Sequence, residues 1–179
     1  LYTKDYEGVN IEAEYQEDNY SIATGLDYFE GSREDTTYGG ITSKDNIAIF
    51  VDSQFQPAWL PNNMGLAAGF RQEWVDYTHL DSTAKTSTDE SLNAWDIGLN
   101  YEFDSQLSFF GNYNHAYQAP DIDRFFVGVW QSNSPYAFIR RDFNVFIEPS
   151  EVDTLKAGFN HITQQNTCKI VAFYSDLKY

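Results

Sequence analysis

The sequence has little cysteine, little positive charge and no long hydrophobic run. Its single cysteine, Cys168, rules out an intrachain disulfide and the zinc motifs that need paired cysteines. Lys and Arg number 11 against 27 Asp and Glu, so the formal net charge is -16 and nucleic-acid binding is not expected. The longest apolar run, Ile47 to Val51, is far shorter than the ~20 residues of a membrane-spanning helix.

Aromatic residues, by contrast, are abundant. They make up 17% of the chain, and the hydrophobic fraction of 42% is too high for a disordered polymer. A length of 179 residues fits one domain or a piece of a larger one. We therefore expect a folded chain in which aromatic side chains have a structural part.

Apolar and polar residues alternate with a period of two along most of the chain, which predicts β-strands. One face of the predicted strands is apolar: Val9, Ile11, Ala13, Tyr15, Tyr20, Ile22, Leu26, Tyr28, Ile47, Ile49, Val51, Leu66, Ala68, Phe70, Trp74, Trp95, Ile97, Leu99, Tyr101 and Phe103. The other face is small or polar: Asn10, Glu12, Glu14, Asp27, Asp52, Gln54, Arg71, Glu73, Asp96 and Glu102. The pattern predicts an all-β protein.

The connections predict how the strands are joined. Short turns rich in Asn, Asp, Gln and Pro are predicted at Gln16 to Asn19, Gln56 to Asn63, Asp104 to Gln106 and Ile162 to Asn166. Longer loops are predicted at Glu30 to Lys44, Asp76 to Asn93 and Ala119 to Glu151. Short and long connections alternate, so about eight antiparallel strands should place all turns at one end and all loops at the other.

Two architectures fit this pattern. In a soluble sandwich or small barrel the apolar face points to a core, whereas in a membrane barrel it points to lipid and the polar face lines a wet lumen. Tyr15, Tyr28, Trp74, Trp95 and Phe103 fall at strand ends, where a membrane barrel places amphipathic rings at headgroup level. The charged second face also suits a wide lumen, and both features favour the membrane barrel.

No catalytic or metal site is predicted. The three histidines, His79, His115 and His161, have no Ser or Cys partner at motif spacing. Asp121 and Asp123 lack the glycine-containing loop of a dedicated calcium site. We expect no enzyme activity, no catalytic residue, no bound cofactor and no resident metal.

Two segments resemble the TonB-dependent outer-membrane receptors. LSFFGNYNHAYQAPDIDRFF, residues 107–126, contains Tyr117, Ala119 and Pro120 where that family ends a strand in an aromatic-Arg-Ala-Pro box. FNVFIEPSEVDTLKAGF, residues 143–159, contains Pro149, Asp153 and Gly158 in the spacing of the box that closes a long external loop. The order and spacing of the two boxes carry the resemblance.

The resemblance implies an interior fragment of the β-barrel domain of such a receptor, with residues 1–179 forming about eight of about 22 strands and with extracellular loops and periplasmic turns. The plug domain and the remaining strands would be absent. Implied partners are a ferric siderophore or other metal chelate, outer-membrane lipid, and the TonB system through the absent plug, in the outer membrane of a Gram-negative bacterium. A complete eight-stranded barrel is the structural alternative, because ~8 strands can close.

The longest loop is the candidate binding site, because binding residues concentrate on loops of rigid scaffolds. Its ligand-binding candidates combine aromatic rings with guanidinium groups, which suit a flat anionic chelate: Arg124, Trp130, Tyr136, Phe138, Arg140 and Arg141. Alternatively, Arg140 and Arg141 only pair with Asp142 and Glu148 in a solvated loop.

Other cargoes and one other protein class stay open. Haem receptors of the family that the two boxes resemble have a histidine in this loop, and residues 121–146 contain none. Haem is therefore a less favoured cargo than a siderophore. Cobalamin, nickel chelates and oligosaccharides remain possible cargoes. The alternative class is a soluble, aromatic-rich carbohydrate-binding β domain with Trp130 and Tyr136 as sugar platforms.

Overall fold

The computed structural model describes residues 2–35, 40–56, 59–61, 63–81, 84–131 and 138–178, with side chains outside 129–141. The described chain forms ten strands: β1 Tyr2–Glu17, β2 Tyr20–Asp35, β3 Gly40–Phe55, β4 Met64–Leu80, β5 Lys85–Glu102, β6 Leu107–Gln118, β7 Phe126–Gln131, β8 Phe138–Phe143, β9 Ser150–Ile162 and β10 Thr167–Lys178. One 3-10 helix spans Ile122–Phe125. The expected all-β fold is confirmed, and the described residues contain no helix long and apolar enough to cross a membrane.

Eight strands form one antiparallel sheet in the order β1-β2-β3-β4-β5-β6-β9-β10, and β7 and β8 form a separate hairpin. Each strand of the large sheet pairs with its neighbour in that order, as predicted from the alternating connections. Strands β1 and β10 are the two edges of this sheet. The described strands therefore form an open wall, and the alternative of a closed eight-stranded barrel is wrong for them.

The apolar face of the sheet is exposed, as a lipid-facing surface should be. Val9, Ile11 and Ile97 are 58%, 62% and 57% exposed, so the described residues form no core on this face. We call it the outer face and the opposite one the inner face. Aromatic side chains mark both ends of the outer face, with Tyr15 and Tyr20 near the short turns and Tyr28 and Trp74 toward the loops.

Two of the three predicted long loops are mostly strand. Strand β2 continues to Asp35 and β3 begins at Gly40, inside the predicted loop 30–44. Strands β4 and β5 likewise extend to Leu80 and from Lys85, inside the predicted loop 76–93. The prediction was wrong because these ends carry polar residues on both faces, so the period of two vanishes while the backbone ladder continues.

Five carboxylates form a row across the outer face at the loop end. They are direct cross-strand neighbours on five successive strands: Glu7, Glu30, Asp45, Asp76 and Asp89. The row lies two residues beyond the level of Tyr28 and Trp74, and like charges that face each other in this way are unfavourable in a nonpolar medium. The row therefore marks where the apolar surface of the wall ends.

The most buried residues gather on the inner face of the loop end. A cluster of Val75, Tyr77, Leu92 and Phe125 is buried there, and partly buried aromatic residues pack against it. The outer face instead carries most of the exposed large hydrophobic residues. The sheet thus has its core where the connection between β6 and β9 meets it.

If the outer face contacts lipid, Val51→Arg should lower the free energy of unfolding of the complete protein in lipid by ~2–4 kcal/mol. Val51 lies midway along the outer face of β3, between Ile47 and Phe55. Asp52→Arg, on the inner face of the same strand and at nearly the same depth, is the matched control and should cost much less. Denaturant titration in lipid vesicles measures both, and equal penalties would argue against a lipid-facing outer surface.

Candidate functional site

We call the connection between β6 and β9, residues 119–149, the strap, and its described segments 119–126 and 143–146 fold back over the inner face. Its 3-10 helix buries Ile122 and Phe125, each 1% exposed. The Phe125 ring meets the Tyr77 ring edge to face at 5.0 Å between centroids, and the Tyr77 hydroxyl donates a 2.9 Å hydrogen bond to the carbonyl of Pro120. The first part of the strap is therefore packed against β4.

The returning part of the strap contacts the same strand. The Phe143 ring stacks on His79 with centroids 3.9 Å apart and planes 8° apart. The Nδ1 of His79 lies 2.8 Å from the Oγ1 of Thr42 on β3, which holds the imidazole in place. Phe146 packs on Phe125 at 5.2 Å, so both halves of the strap share one aromatic cluster.

An ionic clasp holds the strap to β1 and β2. Asp123 accepts a 2.7 Å hydrogen bond from Nη1 of Arg33 through one carboxylate oxygen and is bonded by the Lys4 ammonium through the other. The Arg33 side chain is 1% exposed and lies between the rings of Tyr2, at 4.5 Å, and Phe126, at 3.9 Å. The strap thus crosses from β6 to the far side of the described wall.

The clasp lowers the pKa of Asp123. Burial alone would raise the pKa of this carboxyl, but hydrogen bonds and charges from Lys4 and Arg33 outweigh burial and place it below its ordinary value of 3.8. A lowered pKa means that the clasp favours folding at neutral pH and loses its contribution only as the pH falls through that lowered value. Asp123 is therefore ionised at neutral pH.

A second polar network lies at the root of the strap, around the almost buried Glu73. Its carboxylate accepts a 2.9 Å hydrogen bond from Nδ2 of Asn46 and a bond from the Tyr117 hydroxyl. Arg71 approaches Glu73 at 3.4 Å and also pairs with Asp27. Pairing of β6 with β5 ends at His115, although β6 continues to Gln118. Beyond His115 the side chain of Tyr117 extends across β5 to Glu73 on β4.

Below this network the inner face forms an open recess of about 510 Å³. Its lining includes three carboxylates, Asp27, Asp52 and Asp96, and one arginine, Arg71. A Cβ atom on Gly69 would lie 2.5 Å from Oδ1 of both Asp52 and Asp96, so the glycine lets these two carboxylates converge. The recess is acidic, unlike the basic clasp above it.

The predicted ligand-binding residues are only partly described. Arg124 is exposed at the end of the 3-10 helix. Trp130 pairs with Ile139, Gln131 with Phe138, and Val129 with Arg140, so the hairpin brings those backbones together. Arg141 pairs with Gly128 in the same hairpin. The side chains of Trp130, Phe138, Arg140 and Arg141, and the whole of Tyr136, lie outside the described part of the chain.

The motif residues hold the strap and the strands around it. Ala119 packs on the buried cluster and Pro120 is buried above it. Pro149 comes directly before β9, where the strap ends. Asp153 accepts hydrogen bonds from Nδ1 of His115 at 2.8 Å and from Lys178 at 3.0 Å. A Cβ on Gly158 would lie 2.2 Å from the carbonyl of Ile170, so no side chain fits there.

Sequence reasoning missed the clasp. Lys4 and Arg33 are far from Asp123 in sequence, separated from it by 119 and 90 positions, and no local pattern joins them. One signal was present, because Arg33 falls in the same phase as Asp27 and therefore on the inner face of β2. Arg33 is the one basic residue of β2, among several acidic ones, and its inner-face position was the clue.

The family model for the TonB dependent receptor-like β-barrel matches residues 3–178. The chain belongs to this family. The match confirms the resemblance drawn from the two boxes and the identity of the sheet as part of a receptor barrel. It sets aside the alternative of a soluble carbohydrate-binding domain. A search of curated proteins finds no match.

Solved structures show the same fold. The copper transporter OprC superposes with a TM-score of 0.74 at 13% identity, covering 97% of this chain and 30% of that one. The FrpB iron transporter from Neisseria meningitidis (F3-3 variant) gives 0.70 at 11% identity, covering 98% and 28%. The ferric yersiniabactin uptake receptor FyuA from Yersinia pestis gives 0.62 at 11%, covering 99% and 29%. The chain thus spans about 30% of the first of these receptors.

Family membership settles the kind of protein and the character of the fold. TonB-dependent receptors are transporters rather than enzymes, in agreement with the expected absence of catalysis. The described sheet is a section of a transmembrane antiparallel β-barrel, with its apolar outer face toward lipid. Its inner face carries the clasp and the docked segments of the strap, on the side opposite to the apolar face. Among the described residues, no group of three or more His, Cys, Asp or Glu is placed to hold a metal.

Tyr117→Phe should destabilise this receptor barrel. The change removes the hydroxyl that donates to the almost buried carboxylate of Glu73, a loss of ~1.5–3 kcal/mol for a bond to a charged group. Denaturant titration of the complete protein in lipid measures the change. Tyr113→Phe, four residues earlier on β6, is the control, because no hydrogen bond from its hydroxyl is described. Equal effects of the two changes would contradict a structural role for the Glu73 network.

Proposed function

We propose that this chain is a wall segment of an outer-membrane receptor that takes up a metal chelate, with a ferric siderophore as the leading cargo. The complete receptor would contain a plug and about 22 strands, and the plug would couple it to TonB in a Gram-negative bacterium. Support comes from the family match over residues 3–178, which carries the proposal. The residues of this chain would select and hold cargo and would carry out no reaction.

The named activities of the structural neighbours support a metal-related cargo. They are a copper transporter, iron transporters, and receptors for alcaligin and ferric yersiniabactin. Identities of 10–13% are too low to choose among these cargoes. The choice of a ferric siderophore rests instead on the aromatic and arginine content of the strap, as argued from the sequence.

Uptake of radiolabelled iron chelates tests the function. The full-length receptor would be expressed in a Gram-negative strain that lacks its own siderophore receptors, with and without functional TonB. We expect accumulation of at least one ferric siderophore that depends on both the receptor and TonB. Accumulation of copper in place of iron would support the receptor function but contradict a ferric siderophore as its cargo. No accumulation of any chelate would contradict the whole proposal.

We further propose that Arg124, Trp130, Tyr136, Phe138, Arg140 and Arg141 contribute ligand contacts in the strap. Replacing Arg140 and Arg141 with Ala should then weaken binding of the transported chelate by about tenfold or more, since a buried charge-assisted contact is worth ~1.5–3 kcal/mol. Equilibrium binding to the full-length receptor measures this. Lys85→Ala, which removes an exposed positive charge at the same end of the wall, is the control. Unchanged affinity in the double variant would remove both arginines from the site.

A further inference from the structure

Two cations face each other on the inner wall beneath the strap. Lys4 and Arg33 are direct cross-strand partners on β1 and β2, and both reach the carboxylate of Asp123. Like charges directly opposite each other are unfavourable in a sheet unless an anion lies between them. The wall therefore presents a preformed place for negative charge, which the strap fills with one carboxylate.

Arg33 is not fully used by that carboxylate. The side chain is 1% exposed, yet its Nε donor has no hydrogen-bond partner. Nη1 of Arg33 contacts one carboxylate oxygen of Asp123, and the Lys4 ammonium contacts the other. A guanidinium group offers several donors in one plane and binds carboxylates best in pairs of bonds. The buried Nε is thus an unfilled donor beside an anion that engages Arg33 through one bond.

Aromatic rings enclose the same guanidinium group. Tyr2 lies on β1, and Phe126 lies at the junction of the 3-10 helix with β7. The rings lie 4.5 Å and 3.9 Å from the guanidinium carbon of Arg33 and favour a cation that is fixed in place and poorly hydrated. Tyr2 and Phe126 therefore hold the guanidinium group in one position while the 3-10 helix is docked on the wall.

We propose that Lys4 and Arg33 form a binding site for a carboxylate-bearing anion, which Asp123 occupies as an internal substitute. An anionic chelate with carboxylate groups would displace Asp123, use the free Nε donor and release the 3-10 helix from the wall. The assignment of the cargo as a metal chelate rests on the proposed function. Asp123 is suited to this exchange because its side chain is 32% exposed and can leave toward solvent.

Binding measurements on the full-length receptor test the site with citrate and ferric citrate as probes. Asp123→Asn removes the competing internal charge, so affinity for both probes should rise by about tenfold. Lys4→Gln removes one of the two cations, so affinity should fall by a similar factor. Lys4 is preferred to Arg33 because it is less buried, with 24% of its side chain exposed. Glu148→Gln, an exposed carboxylate of the same strap, is the control and should change neither affinity.

Trypsin cleavage after Arg124 reports the position of the strap. Arg124 is exposed but the next residue, Phe125, is buried, so cleavage requires the helix to leave the wall. Citrate should speed this cleavage in the unaltered receptor and have little effect in Lys4→Gln. Asp123→Asn should speed cleavage without citrate. Mass spectrometry of the fragment that begins at Phe125 gives the rate.

Opposite changes in affinity separate a binding site from a structural clasp. If the clasp only holds the strap, both variants should speed cleavage while citrate affinity stays equal or moves in the same direction, and the proposal would be overturned. Failure of citrate to speed cleavage in the unaltered receptor would overturn it as well. If citrate releases the strap but no chelate is taken up, the anion site stands and the proposed function fails. If chelates are taken up but neither variant changes the affinity for citrate, the proposed function stands and the anion site is overturned.

Discussion

The wall depends on one constraint, that every strand must satisfy its backbone hydrogen bonds through its neighbours while it presents an apolar surface outside. In hydrocarbon an unpaired N–H or C=O group costs several kcal/mol, so the ladder must be continuous across the membrane. The eight-stranded sheet meets this demand with long, regular antiparallel registers. Apolar and polar residues therefore alternate along each strand with a period of two, because successive side chains contact lipid on one face and water or protein on the other.

The same constraint explains why polar chemistry gathers on the inner face. Arg71 pairs with both Glu73 and Asp27, and Glu73 also accepts a hydrogen bond from Asn46 on β3. Such groups are tolerated at this depth because each finds a partner there. The strap adds a second layer, since its aromatic cluster and Asp123 cover residues that would otherwise line an open mouth. The interior is therefore partly filled by the chain's own connection.

Much of the wall was predictable from the sequence, whereas the site was not. Alternation of residues such as Val9, Ile11 and Tyr15 with Asn10 and Glu12 predicts both faces, because the physics of lipid contact acts on each strand separately. That signal disappears beyond Glu30 in β2 and at the start of β3, where the outer face meets water and the inner face makes polar contacts under the strap, so the strand ends were predicted as loops. Docking of the strap depends on contacts across the whole wall, such as Lys4 with Asp123, which no local pattern encodes.

The carboxylate row on the outer face limits the vertical position of the wall in the membrane. If the wall moved deeper into the membrane, five charged groups would enter hydrocarbon at a free-energy cost of several kcal/mol in total. If it moved outward, the aromatic residues near the short turns would leave their interface. Strand β2 continues for five residues beyond Glu30, to Asp35, which at ~3.3 Å per residue and a tilt near ~45° adds ~12 Å of height. Arg33 and its partner Lys4 belong to this raised collar. An incoming molecule would thus meet the clasp in water, clear of the lipid surface, before it reaches the membrane-embedded part of the lumen.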